Sequence, residues 1–415
     1  MSMPGRELVV RLERLVHGGD ALARHEGRIV FVPFGAPGEL VRVAVLEERA
    51  DYLRGQLLEV IEPAPERVPS PCLYFGECGG CQWQHLDYAA QLRAKQQIVV
   101  EQLERIAHLP TPPVRPTIGV SDPWHYRNHA RFTVRRSGHL GFMRTDRRRF
   151  LQIDYCLLMQ PPINAALAEL QGRATGQRLH QVVVRCGART GDRLIGPRVG
   201  DGSWPLPSGQ PFYRDQLLGR EFQVSLSSFF QVNTRPDQRP LPLRHTPAPP
   251  DPSQAEALVL LTRDRLQLTG QERVVDAYCG VGVFALLLAP FCAEVIGIEE
   301  SAAALRDATA NRGETPNVRF LQAKVEDALP TLEGRVDAVV IDPPRAGCKP
   351  AVLEAIIRRR PRRVVYVSCE PATLARDLRV LVDGGYRLEE VQPVDLFPQT
   401  YHIETCTTLV WEGAW

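Results

Sequence analysis

The sequence RVVDAYCGVG at residues 273–282 decides the fold, because it joins an apolar strand to a glycine turn that opens a helix. Val274 and Val275 are typical of a strand buried on both faces of a parallel sheet. Gly280 and Gly282 let the backbone approach a ligand closely, next to the N-terminus of the following helix. This pattern predicts a nucleotide-type binding site in an α/β domain.

Helices and strands alternate on both sides of this turn. We predict helices at about 254–268, 284–291, 302–311, 350–360 and 372–383. We predict strands at 273–278, 294–299, 318–322, 336–342, 363–368, 386–397 and 405–411. Such alternation is typical of an α/β protein with a doubly wound, Rossmann-like sheet.

The N-terminal half has a different pattern. Short alternating runs at 7–15, 27–34, 40–47 and 52–61 predict a small β-barrel, and a helix is predicted at 86–106. Seven prolines between Arg235 and Glu256 exclude a helix or central strand and indicate a loop. We therefore predict three domains: a barrel at 1–62, a β-rich central domain at 63–233 and an α/β domain at 234–415. The helix at 86–106 could pack with the last of these.

The composition of the 415 residues excludes several classes of protein. The chain is 44% hydrophobic and 24% charged, which excludes wholesale disorder, and its net charge of +2 does not by itself indicate a nucleic-acid binder. No apolar run reaches the ~18 residues of a membrane span, and residues 1–14 lack the apolar core of a signal peptide. Ten cysteines without an export signal favour a reducing compartment. We expect a cytoplasmic monomer with no membrane association and no obligate protein partner.

The arginines are unevenly distributed. Eight of them, against the single acid Asp146, lie between Trp124 and Phe150. A solvated face and a surface that binds RNA phosphates explain this run equally well. The candidate RNA-binding residues are Arg127, Arg131, Arg147, Arg148 and Arg149.

Acidic residues follow three of the predicted parallel strands. Asp276 begins the glycine turn, Glu299 lies nineteen residues after Gly280, and Asp342 ends the strand at 336–342. We expect all three in one crevice, because ligands bind at the carboxyl ends of such strands, and Glu299 could bind both hydroxyls of a ribose. The absence of a Walker loop disfavours ATP, which leaves S-adenosylmethionine or a nicotinamide cofactor.

Two segments place candidate reactive groups at the same edge of the predicted sheet as these acids. Cys369 lies between the strand at 363–368 and a helix, where a nearby helix N-terminus is expected to lower the pKa of a thiol. The alternative is a small cysteine of the core. The segment 397–404 contains His402 and Glu404, either of which could act as a base, although a solvated loop acid is the simpler interpretation.

The cysteine-rich loop indicates a metal site. Cys72, Cys78 and Cys81 are spaced C-x5-C-x2-C, and Cys156 is a distant fourth candidate. Four thiolates suit either tetrahedral zinc or an iron–sulfur cluster, and the spacing alone modestly favours zinc.

Together, these motifs resemble the bacterial RNA 5-methyluridine methyltransferases, in particular the 23S rRNA branch with an N-terminal TRAM domain. The resemblance covers nearly the whole chain. It is carried by the cysteine motif and by the sequences FFQVN (229–233), DAYCGVG (276–282), DPPRAG (342–347), SCEPATL (368–374) and FPQTYHIE (397–404).

The resemblance implies transfer of a methyl group from S-adenosylmethionine to C5 of a uridine in RNA. It implies that Cys369 is the nucleophile and Glu404 the base, and we expect Asp342 to orient the uracil. The expected donor-binding residues are Gln231, Tyr278, Gly280, Gly282, Glu299 and Asp342. The resemblance also implies a [4Fe-4S] cluster on Cys72, Cys78, Cys81 and Cys156 in place of zinc. It favours 23S rRNA over tRNA as the substrate, because the bacterial tRNA branch lacks the barrel and the cluster.

Two other functions remain open at this stage. One is an iron–sulfur RNA-binding or ribosome-assembly protein with a vestigial transferase; the other is a cytosine-5 methyltransferase. The chain also departs from the commonest family pattern at Val283, Lys324 and Glu370. Because Glu370 adds a negative charge beside a thiol that must ionise, we expect its side chain to point away from Cys369.

Overall fold

The computed structural model describes residues 6–135, 137–146, 148–175, 179–199 and 204–413. Within these ranges the strands form four sheets. No helix in the described part of the chain is long and apolar enough to cross a membrane.

A six-stranded sheet forms the N-terminal β domain, in the order β1-β5-β6-β4-β3-β2. Its strands are β1 (Glu7–Arg11), β2 (Arg14–Leu15), β3 (Ala21–His25), β4 (Arg28–Val32), β5 (Leu40–Glu48) and β6 (Tyr52–Glu62). The alternation that predicted these strands is visible in β1, where Leu8 and Val10 are buried and their neighbours are exposed. The prediction missed β3, because Ala21, Leu22 and Ala23 are all buried and do not alternate.

The central region contains a five-stranded antiparallel sheet in the order β11-β10-β7-β8-β9. The strands are β7 (His129–Val134), β8 (Leu140–Met143), β9 (Phe150–Gln152), β10 (Gln181–Cys186) and β11 (Arg193–Gly196). A helix that we did not predict, α2 (Pro161–Leu170), lies in this region, and Ile163, Ala166 and Leu167 are part of the same apolar core as the sheet. Its two leading prolines are compatible with the first turn of a helix.

Helix α1 (Tyr88–Arg105) lies against the C-terminal region, although it precedes the central sheet in sequence. Asp87 caps its N-terminus by accepting a hydrogen bond from the Ala90 amide. The Lys95 ammonium lies 2.6 Å from the carboxylate of Asp395, and both side chains are fully buried. A buried charge is costly without a partner, so this ion pair fixes α1 against the segment that leads to Glu404.

The C-terminal region is a seven-stranded sheet in the order β16-β15-β14-β17-β18-β20-β19, and a separate hairpin of β12 (Phe212–Leu217) and β13 (Arg220–Ser225) precedes it. Its strands are β14 (Arg273–Ala277), β15 (Glu294–Glu299), β16 (Val318–Gln322), β17 (Ala338–Ile341), β18 (Arg363–Ser368), β19 (Tyr386–Val394) and β20 (Glu404–Trp411). The first five strands in the sheet order are parallel, and β20 is antiparallel to both of its neighbours. The predicted doubly wound α/β class is confirmed.

Helices cover this sheet: α3 (Gln254–Leu266), α4 (Val283–Leu288) with a 3-10 turn at Ala289–Phe291, α5 (Ala302–Arg312), α6 (Val325–Thr331), α7 (Pro350–Arg359) and α8 (Pro371–Asp383). Helix α6, which connects β16 to β17, was not predicted. Parallel strands require such a crossover connection. The proline-rich stretch from 235 to 252 contains no helix or strand, as predicted.

Candidate active site

Asp276 and Glu299 hold the glycine turn in place. The Asp276 carboxylate accepts a hydrogen bond from the Ala285 amide of α4 at 2.8 Å, and the Glu299 carboxylate accepts one from the Gly280 amide at 3.0 Å. Gly280 has φ +54° and a Cβ there would meet no atom within 4 Å. The turn therefore leaves open space beside a helix N-terminus, where a ligand can approach the backbone.

The strand-end acids converge, as the sequence predicted. Burial raises the pKa of Asp276 to about 8, and the nearby carboxylates of Asp342 and Glu299 contribute to the rise. Oδ1 of Asp276 and Oε1 of Gln231 are buried acceptors without a hydrogen-bond partner in the described part of the chain. Such acceptors need donors, and the amine and ribose hydroxyls of S-adenosylmethionine are donors of the right kind. These residues fit the methyl donor.

Contacts with the β12–β13 hairpin and the central region place Gln231. Asp307 in α5 accepts hydrogen bonds from the hydroxyls of Ser225 and Ser228, both at 2.6 Å. Nδ2 of Asn128 donates to the backbone carbonyl of Gln231 at 3.0 Å. The Gln231 side chain is thus presented by backbone that is tied to both the central sheet and α5.

Tyr278 occupies a different position from the other predicted donor-binding residues. Its backbone φ is +67°, and its hydroxyl lies near the Cys348 thiol. Burial raises the pKa of this hydroxyl, with Cys348 adding to the effect. The hydroxyl of Tyr278 is therefore directed toward Cys348.

Cys369 and Glu404 lie at the same end of two paired strands. In the β18–β20 ladder, Ser368 is opposite Thr405, and the Thr405 hydroxyl donates to the Ser368 carbonyl at 3.2 Å. Cys369 is the next residue beyond Ser368, and Glu404 is the next residue beyond Thr405. Glu404 is buried and Cys369 is half-buried. A thiol and a carboxyl group therefore face one another next to the strand-end acid Asp342.

The electrostatics of Cys369 correct one prediction. Burial raises the pKa of the Cys369 thiol to about 12, and Glu404 and Asp342 raise it further while Arg345 opposes them. The sequence predicted a lowered pKa from the helix N-terminus. Burial and the surrounding carboxyl groups outweigh the effect of the helix, so the thiol is protonated at neutral pH before substrate binds.

The two carboxyl groups beside the thiol are also perturbed. Burial raises the pKa of Asp342 to about 7. Burial raises the pKa of Glu404 well above its ordinary range, and Asp342 adds to the rise. Carboxyl groups this close cannot both ionise cheaply, so the pair retains a proton at neutral pH.

Arg345 lies in the DPPRAG motif, but the sequence predicted no separate role for it. Its charge opposes the raised pKa values of both Cys369 and Glu404, and its Nη2 donates to Nδ1 of His402 at 2.9 Å. Burial and Arg345 lower the pKa of His402 to about 4. Arg345 is therefore the cation that faces both reactive groups.

All three unusual family positions lie at helix starts, and Glu370 immediately precedes α8. Val283 is the first residue of α4, and Lys324 immediately precedes α6. Glu370 is turned toward the β domain, where its carboxylate lies 2.8 Å from Nε2 of His17.

The four candidate cluster ligands Cys72, Cys78, Cys81 and Cys156 line one cavity of about 1010 Å³. Burial raises the pKa of Cys78 to about 11, and those of Cys81 and Cys156 are raised as well. Neighbouring thiols of the set contribute to these shifts, so the four groups are close enough to interact. No three His, Cys, Asp or Glu side chains within the described ranges are arranged to hold a metal ion.

The candidate RNA-binding arginines separate into two groups. Arg127 and Arg131 line the cysteine cavity, together with residues of the β domain and Tyr401. Arg149 is paired with Asp146 at 2.6 Å in an exposed turn that also contains Arg148. Arg147 lies outside the described residues.

The sheet order, the glycine turn and the converging strand-end acids define a class I methyltransferase. A family model described as tRNA (Uracil-5-)-methyltransferase matches residues 264–411, and a TRAM domain model matches residues 1–58. A protein of Thermosynechococcus vestitus, described as an uncharacterized RNA methyltransferase, is 35% identical over 98% of both chains. A protein of Halalkalibacterium halodurans with the same description is 36% identical over 96% of both. The chain belongs to this RNA uracil-5-methyltransferase family, and it is an S-adenosylmethionine-dependent enzyme.

The fold of the whole chain also occurs in a solved structure. Pyrococcus abyssi tRNA (uracil-54, C5)-methyltransferase, crystallised with S-adenosyl-L-homocysteine, superposes with a TM-score of 0.73 at 24% identity. The match covers 97% of this chain and 100% of that one. This likeness confirms the architecture from the β domain to the catalytic sheet.

Proposed function

We propose that this enzyme methylates C5 of a uridine in 23S rRNA, with Cys369 as the nucleophile and Glu404 as the base. The observation that carries the proposal is the position of these two residues at the paired ends of β18 and β20. A covalent mechanism at C5 requires one thiolate and one base on the same substrate ring. Asp342 interacts electrostatically with both Cys369 and Asp276, which supports the proposal that it orients the uracil beside the methyl donor.

The chemistry of uracil explains why both groups are needed. C5 is a poor nucleophile until a thiolate adds to C6 and converts the ring into an enolate. S-adenosylmethionine, when bound, supplies an electrophilic methyl group. Glu404, in its ionised form, then removes the proton from C5. The C5–H electron pair forms the C5–C6 double bond, and the C6–S bond breaks to release the Cys369 thiolate. The target base must leave its helix to reach the buried site.

The directions of the pKa shifts support Glu404 over His402 as the base, as the family resemblance implies. A raised pKa makes a carboxylate a stronger proton acceptor, whereas the lowered pKa of His402 makes its ring a weaker one. The His402 Nδ1 also accepts a hydrogen bond from Arg345. Arg345 offsets the negative charge that develops when Cys369 ionises.

The choice of 23S rRNA rests on the family resemblance, in which the barrel and the cysteine loop accompany the ribosomal branch of the bacterial enzymes. The matching Pyrococcus abyssi structure carries the name of a tRNA enzyme. The architecture alone therefore does not separate the two substrates. Mass-spectrometric mapping of 5-methyluridine in RNA from a strain that lacks the gene tests the proposal.

We also propose that Cys72, Cys78, Cys81 and Cys156 hold a [4Fe-4S] cluster. The support is their position around one cavity and the family resemblance. Burial raises the pKa of Cys78, Cys81 and Cys156, and iron would stabilise the thiolates in the same place. The proposed role is structural, because thiolate addition and methyl transfer require no electron.

Protein purified without oxygen is expected to be brown and to contain about four iron atoms per chain. Cys81→Ser should lose most of this iron, because a ligand is removed. Cys186→Ser is the matched control: Cys186 is buried in the same region, and its thiol donates to Gln160 outside the cavity. Metal analysis of the three proteins measures the effect. One zinc per parent chain without iron would contradict the cluster.

The two groups of arginines should differ in their effect on RNA affinity. Arg131→Ala is expected to lower the log–log slope of RNA affinity against salt by roughly 0.7–0.9, the value for one lost phosphate contact. Arg149→Ala should have a smaller effect, because Asp146 already pairs with that side chain. Filter-binding titrations at several salt concentrations measure the slopes, and affinity for S-adenosylmethionine should not change. If the salt dependence of RNA affinity had the same slope in Arg131→Ala as in the parent protein, Arg131 would not bind phosphate.

A further inference from the structure

The turn between β2 and β3 of the N-terminal domain contacts the catalytic loop at 397–403. The Trp83 indole donates to the Gly19 carbonyl at 2.9 Å, and the backbone amides of Gln82 and Trp83 donate to the Gln399 carbonyl. Gly19 itself lies against Tyr401, since a Cβ on this glycine would be 3.1 Å from the Tyr401 Cβ. The β2–β3 turn is therefore fixed next to the reactive groups.

His17 in this turn pairs with the residue that follows the nucleophile. Its Nε2 lies 2.8 Å from the Glu370 carboxylate, and the two side chains are only 30% and 19% exposed. Burial alone would raise the pKa of Glu370, but the hydrogen bond and charge of His17 lower it overall, with Arg345 contributing. Glu370 is consequently ionised at neutral pH, and its charge is directed to the β domain.

The position of this charge matters because Cys369 must lose a proton. A carboxylate close to a thiol raises the free energy of the thiolate. Although Glu370 is the chain neighbour of Cys369, it raises the pKa of that thiol less than Glu404 and Asp342 do. This small effect is what the observed side-chain direction, away from the sulfur and toward His17, would produce.

We propose that His17 is a positioning residue for methyl transfer, which holds the Glu370 carboxylate away from the Cys369 sulfur. The proposal rests on the proposed function, in which the Cys369 thiolate attacks the uracil. In this proposal His17 acts through Glu370. The N-terminal domain thereby contributes to the reactivity of a nucleophile in the C-terminal domain.

Other groups also act on the thiol or on Glu370, and they stay unchanged in the test. They are Glu404 from β20, Asp342 and Arg345 from the segment after β17, and His402 from the catalytic loop.

The rate at which iodoacetamide alkylates Cys369 reports the fraction of this thiol that is ionised, and the measurement needs neither RNA nor the methyl donor. The rate is followed by mass spectrometry of the peptide that contains Cys369, in the full-length protein and across a range of pH. His17→Ala should slow alkylation roughly 3- to 10-fold and move the pH profile upward by about half to one unit, since one pKa unit is a tenfold change in thiolate. The kcat for methylation should fall by a similar factor while KM for RNA stays constant.

Three further variants separate positioning from a general loss of structure. His17→Gln keeps a hydrogen-bond donor and should react at close to the parent rate. Glu370→Gln removes the charge, so adding His17→Ala to it should cause no further slowing. His25→Ala is the matched control, because this histidine of the same domain lies beside Glu26 and away from the catalytic loop.

Alkylation of His17→Ala at the parent rate would overturn the proposal. Equal slowing by His17→Ala in the parent and Glu370→Gln backgrounds would also overturn it, because His17 would then act without Glu370. Failure of the proposed function has a different signature: Cys369→Ala would still methylate RNA, whatever the alkylation rates show.

Discussion

Replacement of Cys369 by alanine should abolish methyl transfer, with a loss of roughly 10⁴-fold or more, comparable to the removal of a covalent nucleophile in other enzymes. Without a thiolate at C6, the uracil ring does not become nucleophilic at C5. Binding of S-adenosylmethionine should survive, because the donor crevice is built from other residues, including Gln231, Asp276 and Glu299. Single-turnover methylation and calorimetric titration of the donor measure the two effects separately.

Cys406→Ala provides the matched control for this experiment. Cys406 is buried in β20 and its thiol lies near the Thr262 hydroxyl, outside the crevice. Its loss should cost about 1 kcal/mol of folding stability and leave turnover intact. Turnover by Cys369→Ala at the parent rate would show that the thiol is not the nucleophile.

Replacement of Glu404 by glutamine should give a different result, the accumulation of a covalent RNA–enzyme adduct. Glutamine has nearly the same shape but cannot accept the C5 proton, so the methylated ring stays attached to Cys369. The adduct should appear on denaturing gels only when RNA and S-adenosylmethionine are both supplied, and mass spectrometry should locate it on Cys369. Free 5-methyluridine product should fall roughly 10²- to 10⁴-fold, the usual contribution of a general base.

Glu389→Gln is the control for the loss of a carboxylate. Glu389 lies in β19 and pairs with Arg363 at 2.8 Å, outside the crevice. It should turn over normally and form no lasting adduct. Release of product by Glu404→Gln at the parent rate would assign the base to another group, with His402 the first alternative.

Features that depend on local sequence were predicted well. The strand–turn–helix at 273–288, the strand-end acids and the placement of Cys369 and the 397–404 segment at one edge follow from hydrophobic pattern and sheet topology. The missed helix α6 shows the limit of this approach. It has only seven residues and contains Pro330, so the helical pattern is too short to recognise.

Features that depend on distant contacts were not predicted. The shift in the pKa of Cys369 was predicted in the wrong direction. The carboxyl groups that raise this pKa belong to Asp342, after β17, and Glu404, in β20, and both are distant from Cys369 in sequence. The His17–Glu370 pair and the role of Arg345 depend on contacts between segments separated along the chain. The hydroxyl of Tyr278 lies near Cys348, and the DAYCGVG motif does not reveal this proximity.

The central claim is that this enzyme methylates C5 of a uridine in 23S rRNA. Its most direct test is mass-spectrometric mapping of 5-methyluridine in 23S rRNA and tRNA from a strain that lacks the gene. The expected result is loss of 5-methyluridine from 23S rRNA alone, restored by the parent gene and not by Cys369→Ala. Unchanged 23S rRNA together with loss of 5-methyluridine from tRNA would contradict the claim.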